Sequence, residues 1–262
     1  MPVFYDQLNR EIFLPEVPKR IISIVPSQTE LLFYLGLDKE VVGITKFCTH
    51  PADKFKTTDK VGGTKQLDIE KIKAQKPDLI IANKEENERA QVEELMNICP
   101  VWISDISNLR EAINMIERVG ALVGKDAKAK QLSSDVKQQF DQLTLQPSGL
   151  RAAYLIWRKP YMAAGRNTFI DDMLQKCGLI NTFDAERYPE INNQMLIDAR
   201  PDVILLSSEP YPFKEKHIAE FKAMLPSAII KLVDGELFSW YGSRLLLAPA
   251  YFKKLTEGLK SV

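Results

Sequence analysis

The chain has 262 residues, with 35 Lys+Arg against 35 Asp+Glu and a formal net charge of zero. Hydrophobic residues make up 45% and charged residues 27%. These values exclude a disordered tail, a collagen-like repeat and a coiled-coil rod. The balanced charge argues against non-specific nucleic-acid binding, which needs a basic excess. No stretch has about 18 uncharged apolar residues in a row, so a membrane-embedded chain is not expected.

Ile21, Ile22, Ile24 and Val25 form a short buried strand that empties into a loop at Pro26-Ser27. Thr29-Glu30 then open a short helix that stops at Gly36. Val41–Ile44 is a second strand, followed by the loop KFCTHP. Asp68-Ile69-Glu70 open a helix that runs through Ala74, with Pro77 just past its end, and residues 79–82 are the next strand. Strands alternating with helices imply parallel βα units.

An internal repeat is the most informative pattern. EKIKAQKPDLIIA (70–82) matches QMLIDARPDVILL (194–206), each a helix, a basic-Pro-Asp step and an aliphatic strand. PSQTELLFYLGL (26–37) resembles GRNTFIDDMLQKCGL (165–179) in having a loop, a Thr, an amphipathic helix and a closing Gly-Leu. Two similar α/β lobes follow. Between them Leu109, Ile113, Ile116, Val119 and Val123 mark one amphipathic helix, with a break at Gly124. Ala129, Leu132, Val136, Phe140 and Leu143 mark a second, about 20 residues and ~30 Å long, ended by Pro147-Ser148-Gly149. Such a helix is a stiff strut that is expected to limit lobe movement. The expected division is a first α/β lobe over 1–123, a backbone helix over 124–147 and a second α/β lobe over 148–262.

Cys48, Cys99 and Cys177 form no CxxC pair, and an odd count argues against a disulfide scaffold. Cys48-Thr49-His50 places a thiol and an imidazole two residues apart, a pair suited to a transition metal. The bland alternatives are that His50 caps the helix after Pro51 and that Cys48 is buried. His217 is expected on a surface helix, so four structural zinc ligands are not available. GxSxG, Walker A, HExxH and GxGxxG are all absent. The first twenty residues lack a basic n-region and an apolar h-region, so no signal peptide is expected in the sequence as written.

The order strand–PSQTE–helix, GITKF, GG…LDIEKIKAQKPDLIIA, a mid-chain long helix and a second RPD unit resembles a known family. It is similar to the helical-backbone metal receptors, the class III substrate-binding proteins of ABC importers. RIISIVPSQTELLFYLGL, VVGITKF and GSRLLLAP most resemble the vitamin B12-binding branch. The resemblance implies an α/β fold of two Rossmann-like lobes with parallel-rich central sheets joined by a single long rigid helix. It implies a ligand in the cleft between the lobes, at the C-terminal ends of the strands, which accords with the behaviour of open parallel sheets. The ligand class is a cobalamin or other corrinoid, or an iron–siderophore or haem, with no cofactor required. The implied partners are that chelate and an importer permease, and the chain is expected to be a monomer. The implied location is the periplasm or cell surface; a cytoplasmic location, with a chelatase-like or tetrapyrrole-handling enzyme on the same scaffold, is the alternative.

The loops at that edge are 26–29, 45–50, 63–66, 83–87, 157–168, 186–193 and 238–244. They carry Ser27, Phe47, Trp157, Tyr161, Tyr188, Trp240 and Tyr241, which offer a hydroxyl and aromatic area to a flat macrocycle. Arg158, Lys159, Arg166 and Arg244 offer cations to an anionic rim, unless each is a surface charge or a strap to a carboxylate such as Glu236. His50 and Cys48 are the candidate metal contacts. In similar proteins each lobe offers one acid to the permease. Glu70 holds the first position, Gln194 the second, and Glu190 lies nearby, so importer coupling is expected to be weak.

Overall fold

The computed structural model describes residues 3–145 and 148–260. The chain divides into two compact units. The first holds residues 1–106, 110–137 and 241–244; the second holds 107–109, 138–240 and 245–262.

The first unit begins with a hairpin of β1 (Val3–Tyr5) and β2 (Glu11–Phe13). Then follow β3 (Ile21–Ser23), α1 (Pro26–Tyr34), β4 (Val41–Ile44), α2 (Ala52–Thr57), β5 (Asp59–Lys60), α3 (Ile69–Ala74), β6 (Leu79–Asn83), α4 (Arg89–Leu95), β7 (Val101–Ser104) and α5 (Leu109–Leu122). Five strands make a parallel sheet in the order β5-β4-β3-β6-β7. The chain leaves β3 toward β4 on one side and later returns to β6 on the other. The strand order therefore reverses between β3 and β6, where α/β folds place ligands. Pro26 was expected in a loop, but it opens α1. Its missing N–H costs nothing in a first helical turn, and its fixed φ suits one.

The backbone helix α6 is observed over Asp126–Asp141. Its 16 residues give ~24 Å, about a turn less than the sequence pattern suggests. Leu143 and Thr144 lie beyond it in irregular backbone, and Pro147 falls outside the described residues. At the α5–α6 turn, a Cβ on Gly120 would lie 2.1 Å from the Ala129 Cβ, so only glycine permits this approach.

The second unit holds β8 (Arg151–Trp157), β9 (Tyr161–Ala163), α7 (Phe169–Lys176), β10 (Ile180–Asn181), β11 (Glu190–Ile191), α8 (Asn193–Ala199), β12 (Val203–Ser207), α9 (Glu215–Met224), β13 (Ile229–Val233), α10 (Glu236–Ser239) and α11 (Ala248–Lys260), while the 3-10 turn at Ser243–Leu246 has its first two residues in the first unit. Its sheet runs β11-β9-β8-β12-β13, with β10 parallel to β8. The β10-β8-β12-β13 portion repeats the parallel order β4-β3-β6-β7. The antiparallel β9 and β11 are an addition that the expectation of parallel βα units did not include.

The repeat extends to individual atoms. Lys76 and Arg200, at matching positions after α3 and α8, both adopt a left-handed conformation with φ of 47° and 46°. The following Pro-Asp then clamps the base of the sheet. The Asp78 carboxylate accepts the backbone N–H groups of Lys19 and Arg20 at 2.8 and 2.9 Å. The Asp202 carboxylate accepts that of Arg151 at 2.8 Å. Each closing glycine is also left-handed, with φ of 87° at Gly36 and 75° at Gly178, a conformation that penalises side chains with a Cβ.

Candidate functional site

In the first unit the parallel strands deliver their C-terminal ends to one edge. Polar residues collect there: Ser23, Gln28, Thr29, Thr45, Asn83, Asn87 and Ser104 are all buried. Burial without partners would be costly, and most are hydrogen-bonded. Asn83 Nδ2 reaches Ser104 Oγ at 2.9 Å, and Gln28 Nε2 donates to the same hydroxyl. Asn87 Nδ2 donates to the carbonyls of Ile24 and Thr64, both at 3.1 Å, so it ties the loop after β5 to the end of β3. Among the described residues, the buried side-chain atoms without a hydrogen-bond partner include Ser27 Oγ, Gln28 Oε1 and Ser243 Oγ.

The loop after β4 holds Phe47, Cys48 and His50. Phe47 is 51% exposed, with Lys46 Nζ 5.2 Å from its ring centroid. Cys48 is the buried one of these. Its sulfur lies 3.1 Å from Thr29 Oγ1 and 3.2 Å from Thr45 Oγ1, wholly buried. Burial pushes the thiol up to about 11, against the pull of the two threonine hydrogen bonds. A thiol this sheltered sits as a core group, which is the alternative the sequence offered for Cys48. His50 is half-buried and directly precedes Pro51, the residue ahead of α2. Among the described residues no group of three or more His, Cys, Asp or Glu is placed to hold a metal ion.

Residues 241–244 also belong to this unit. The Tyr241 hydroxyl donates to Glu86 at 2.8 Å. Arg244 makes a two-pronged pair with Glu30, at 2.7 and 3.0 Å. The Arg244 strap therefore exists, with Glu30 of α1 as its carboxylate.

In the second unit β8 ends on Trp157, which is 39% exposed and meets Tyr211 edge-on at 5.9 Å. The Tyr161 hydroxyl donates to the Glu220 carboxylate, which also takes two hydrogen bonds from Arg158 at 2.8 and 3.2 Å. Burial, then the Glu220 hydrogen bond, pushes the Tyr161 hydroxyl up to about 12. Arg166 pairs with Asp184 at 2.5 Å. Tyr188 is half-buried in the loop before β11. Trp240 was read as a loop aromatic, yet it is only 7% exposed. Its indole N–H donates to Glu209 at 2.8 Å, and the Ser239 hydroxyl donates to the same oxygen at 2.6 Å. Burial raises the Glu209 carboxyl, and the nearby Glu236 and Asp234 charges add to that, while the Ser239 and Trp240 hydrogen bonds oppose it.

His217 is also corrected. It lies on α9 but is buried, with Nδ1 accepting the Lys214 N–H at 2.9 Å and its ring among Tyr211 and Phe213. Desolvation, then the Arg158 and Lys216 charges, lowers its proton affinity. It is an aromatic-core histidine that closes the first turn of α9.

On the exposed helices Glu70 pairs with Lys73 at 2.8 Å, and Gln194 donates to Asp198 at 2.7 Å. Glu190 sits exposed on β11, opposite Met162. Glu30, Glu86, Glu209 and Glu220 are the acids that sequence reasoning missed. Glu30 carried one usable signal, its place three residues after Ser27 on the same helical face. Glu220 carried none, since nothing in its neighbourhood points to Arg158 or Tyr161. No helix among the described residues is long and apolar enough to cross a membrane.

A family model described as "Periplasmic binding protein" matches residues 21–231. A vitamin B12-binding protein of Pectobacterium carotovorum is 24% identical over 240 residues, covering 88% of this chain and 86% of its own. An uncharacterized ABC transporter substrate-binding lipoprotein, YvrC of Bacillus subtilis, is 26% identical over 212 residues, covering 76% of this chain and 67% of its own. Among solved structures, the periplasmic haem-binding protein RhuT of Roseiflexus sp. RS-1 in its apo form superposes with a TM-score of 0.76. It is 22% identical, and the match covers 93% of this chain and 98% of that one.

Proposed function

The chain belongs to the periplasmic binding protein family, and we propose that it is the substrate-binding component of an ABC-type importer that carries a metal chelate. A corrinoid is the first ligand assigned, with haem or an iron–siderophore second. The ligand is cargo, held without covalent chemistry, and the protein has no catalytic residue in this reading. Its proposed partner is the importer permease, and its proposed location is outside the cytoplasmic membrane, as the lipoprotein relative suggests.

One observation carries the reading. Phe47 follows a strand end in the first unit, Trp157 is a strand end in the second, and both present exposed aromatic area where open α/β sheets receive ligands. Exposed aromatics at that edge suit a broad, flat ligand. The charge pattern favours a corrinoid. Arg158, Arg166 and Arg244 are each paired with a carboxylate, so these three arginines offer an anionic rim little uncompensated charge.

Titration of the full chain with cyanocobalamin tests this. Trp157→Ala and Phe47→Ala are each expected to weaken binding about fivefold or more, the loss of one stacked aromatic worth ~1 kcal/mol. Unchanged affinity in both variants, with the far-ultraviolet circular dichroism of the parent, removes these residues from the site.

A further inference from the structure

We infer that Glu30 is a specificity-determining residue, and that by holding Arg244 it sets the first unit's edge for an uncharged hydrogen-bonding rim group, such as a carboxamide, over a carboxylate. The inference rests on the proposed reading of ligand binding at that edge.

The place is the N-terminus of α1, a helix of 9 residues. Its first N–H groups have no intrahelical acceptors, and its N-cap, Val25, supplies no side-chain hydrogen bond. Two buried hydroxyls stand beside it with their own hydrogen-bonding capacity unspent. Ser27 is 3% exposed and Ser243 is 8% exposed, and neither Oγ has a partner among the described residues. Residues 241–244 lie along this end of α1. A Cβ on Gly242 would come 3.2 Å from the Ser27 carbonyl and 3.3 Å from the Leu31 Cβ. A buried donor–acceptor pair left open at a helix N-terminus calls for an incoming polar group.

The charge of that group is decided one turn along the same face. Glu30 is three residues after Ser27, and its carboxylate takes both prongs of the Arg244 guanidinium. The two side chains are 12% and 18% exposed, so solvent screens them little. An unpaired guanidinium here would supply the positive charge that a carboxylate rim needs. Glu30 cancels it, so an incoming carboxylate would lose its hydration shell here and meet no net positive charge in return. A carboxamide satisfies two hydroxyls and a helix N-terminus as donor and acceptor with no charge to balance.

Paired binding titrations test the assignment, using cyanocobalamin as the carboxamide-rimmed probe and haemin as the carboxylate-rimmed one. The parent is expected to prefer cyanocobalamin. Glu30→Gln should shift the affinity ratio toward haemin by about tenfold, the size of one charge-assisted contact worth ~1.4 kcal/mol. Arg244→Gln should shift the ratio the other way. The double variant Glu30→Gln/Arg244→Gln should return to the parental preference, which separates charge balance from mere packing damage. An unmoved ratio in either folded single variant overturns the inference alone. A parent that binds neither probe overturns the corrinoid and haem assignments, and this inference with them.

Discussion

Phe252→Ala should destabilise the protein by about 4 kcal/mol, the upper range for emptying a buried aromatic site. Phe252 is wholly buried on α11. Its ring meets Phe238 at 4.8 Å, Tyr251 at 6.3 Å and, from α6, Phe140 at 6.4 Å. Phe238 in turn meets Tyr154 of the central strand β8 at 5.1 Å. The ring is therefore a keystone for the layer that packs α6, α10 and α11. Neighbours this bulky cannot collapse fully into the space, so a cavity term adds to the lost burial. Urea denaturation followed by circular dichroism reads the loss directly. Phe252→Leu, which keeps most of the volume, should cost much less. A loss below about 1 kcal/mol for the alanine variant would mean that this layer does not hold the second unit together.

The second large effect tests the repetition itself. Ile80 and Ile204 occupy matching positions of the repeat, on β6 and β12. Each strand has neighbours on both sides, β3 and β7 for one, β8 and β13 for the other. Both residues are 0% exposed. Ile80 packs in a core with Ile22, Ile72 and Ile103, and Ile204 in one with Leu155, Leu196 and Phe221. Ile80→Ala and Ile204→Ala should each cost about 3 kcal/mol, and the corresponding valine variants about 1 kcal/mol. The matched sizes are the point. A difference of more than about twofold between the alanine variants would show that the two sheets are not equivalent where the repeat says they are.

The repeat was legible because its physics is local. A helix, a left-handed basic residue, a proline and an aspartate that caps the sheet base recur in one short window at Lys76–Asp78 and Arg200–Asp202. The start of α1 was misread because Pro-Ser resembles a loop, while proline is equally at home in a first helical turn. β9 and the edge strand β11 have only 3 and 2 residues, too few to show a period-two pattern. At the site, position was readable and occupation was not. The sequence placed Arg244, Trp240 and Tyr161 near strand ends. It did not show that Glu30, Glu209 and Glu220 had already claimed their polar groups, because those contacts span 214, 31 and 59 residues. His217 was expected at the surface for the same reason: exposure is a property of the assembled core.

The most direct measurement is an absorbance titration of the intact chain with cyanocobalamin, haemin and a ferric siderophore in parallel. The account predicts a saturable complex at about one ligand per chain with at least one probe, tightest with cyanocobalamin. Failure of all three to bind the folded protein would contradict it.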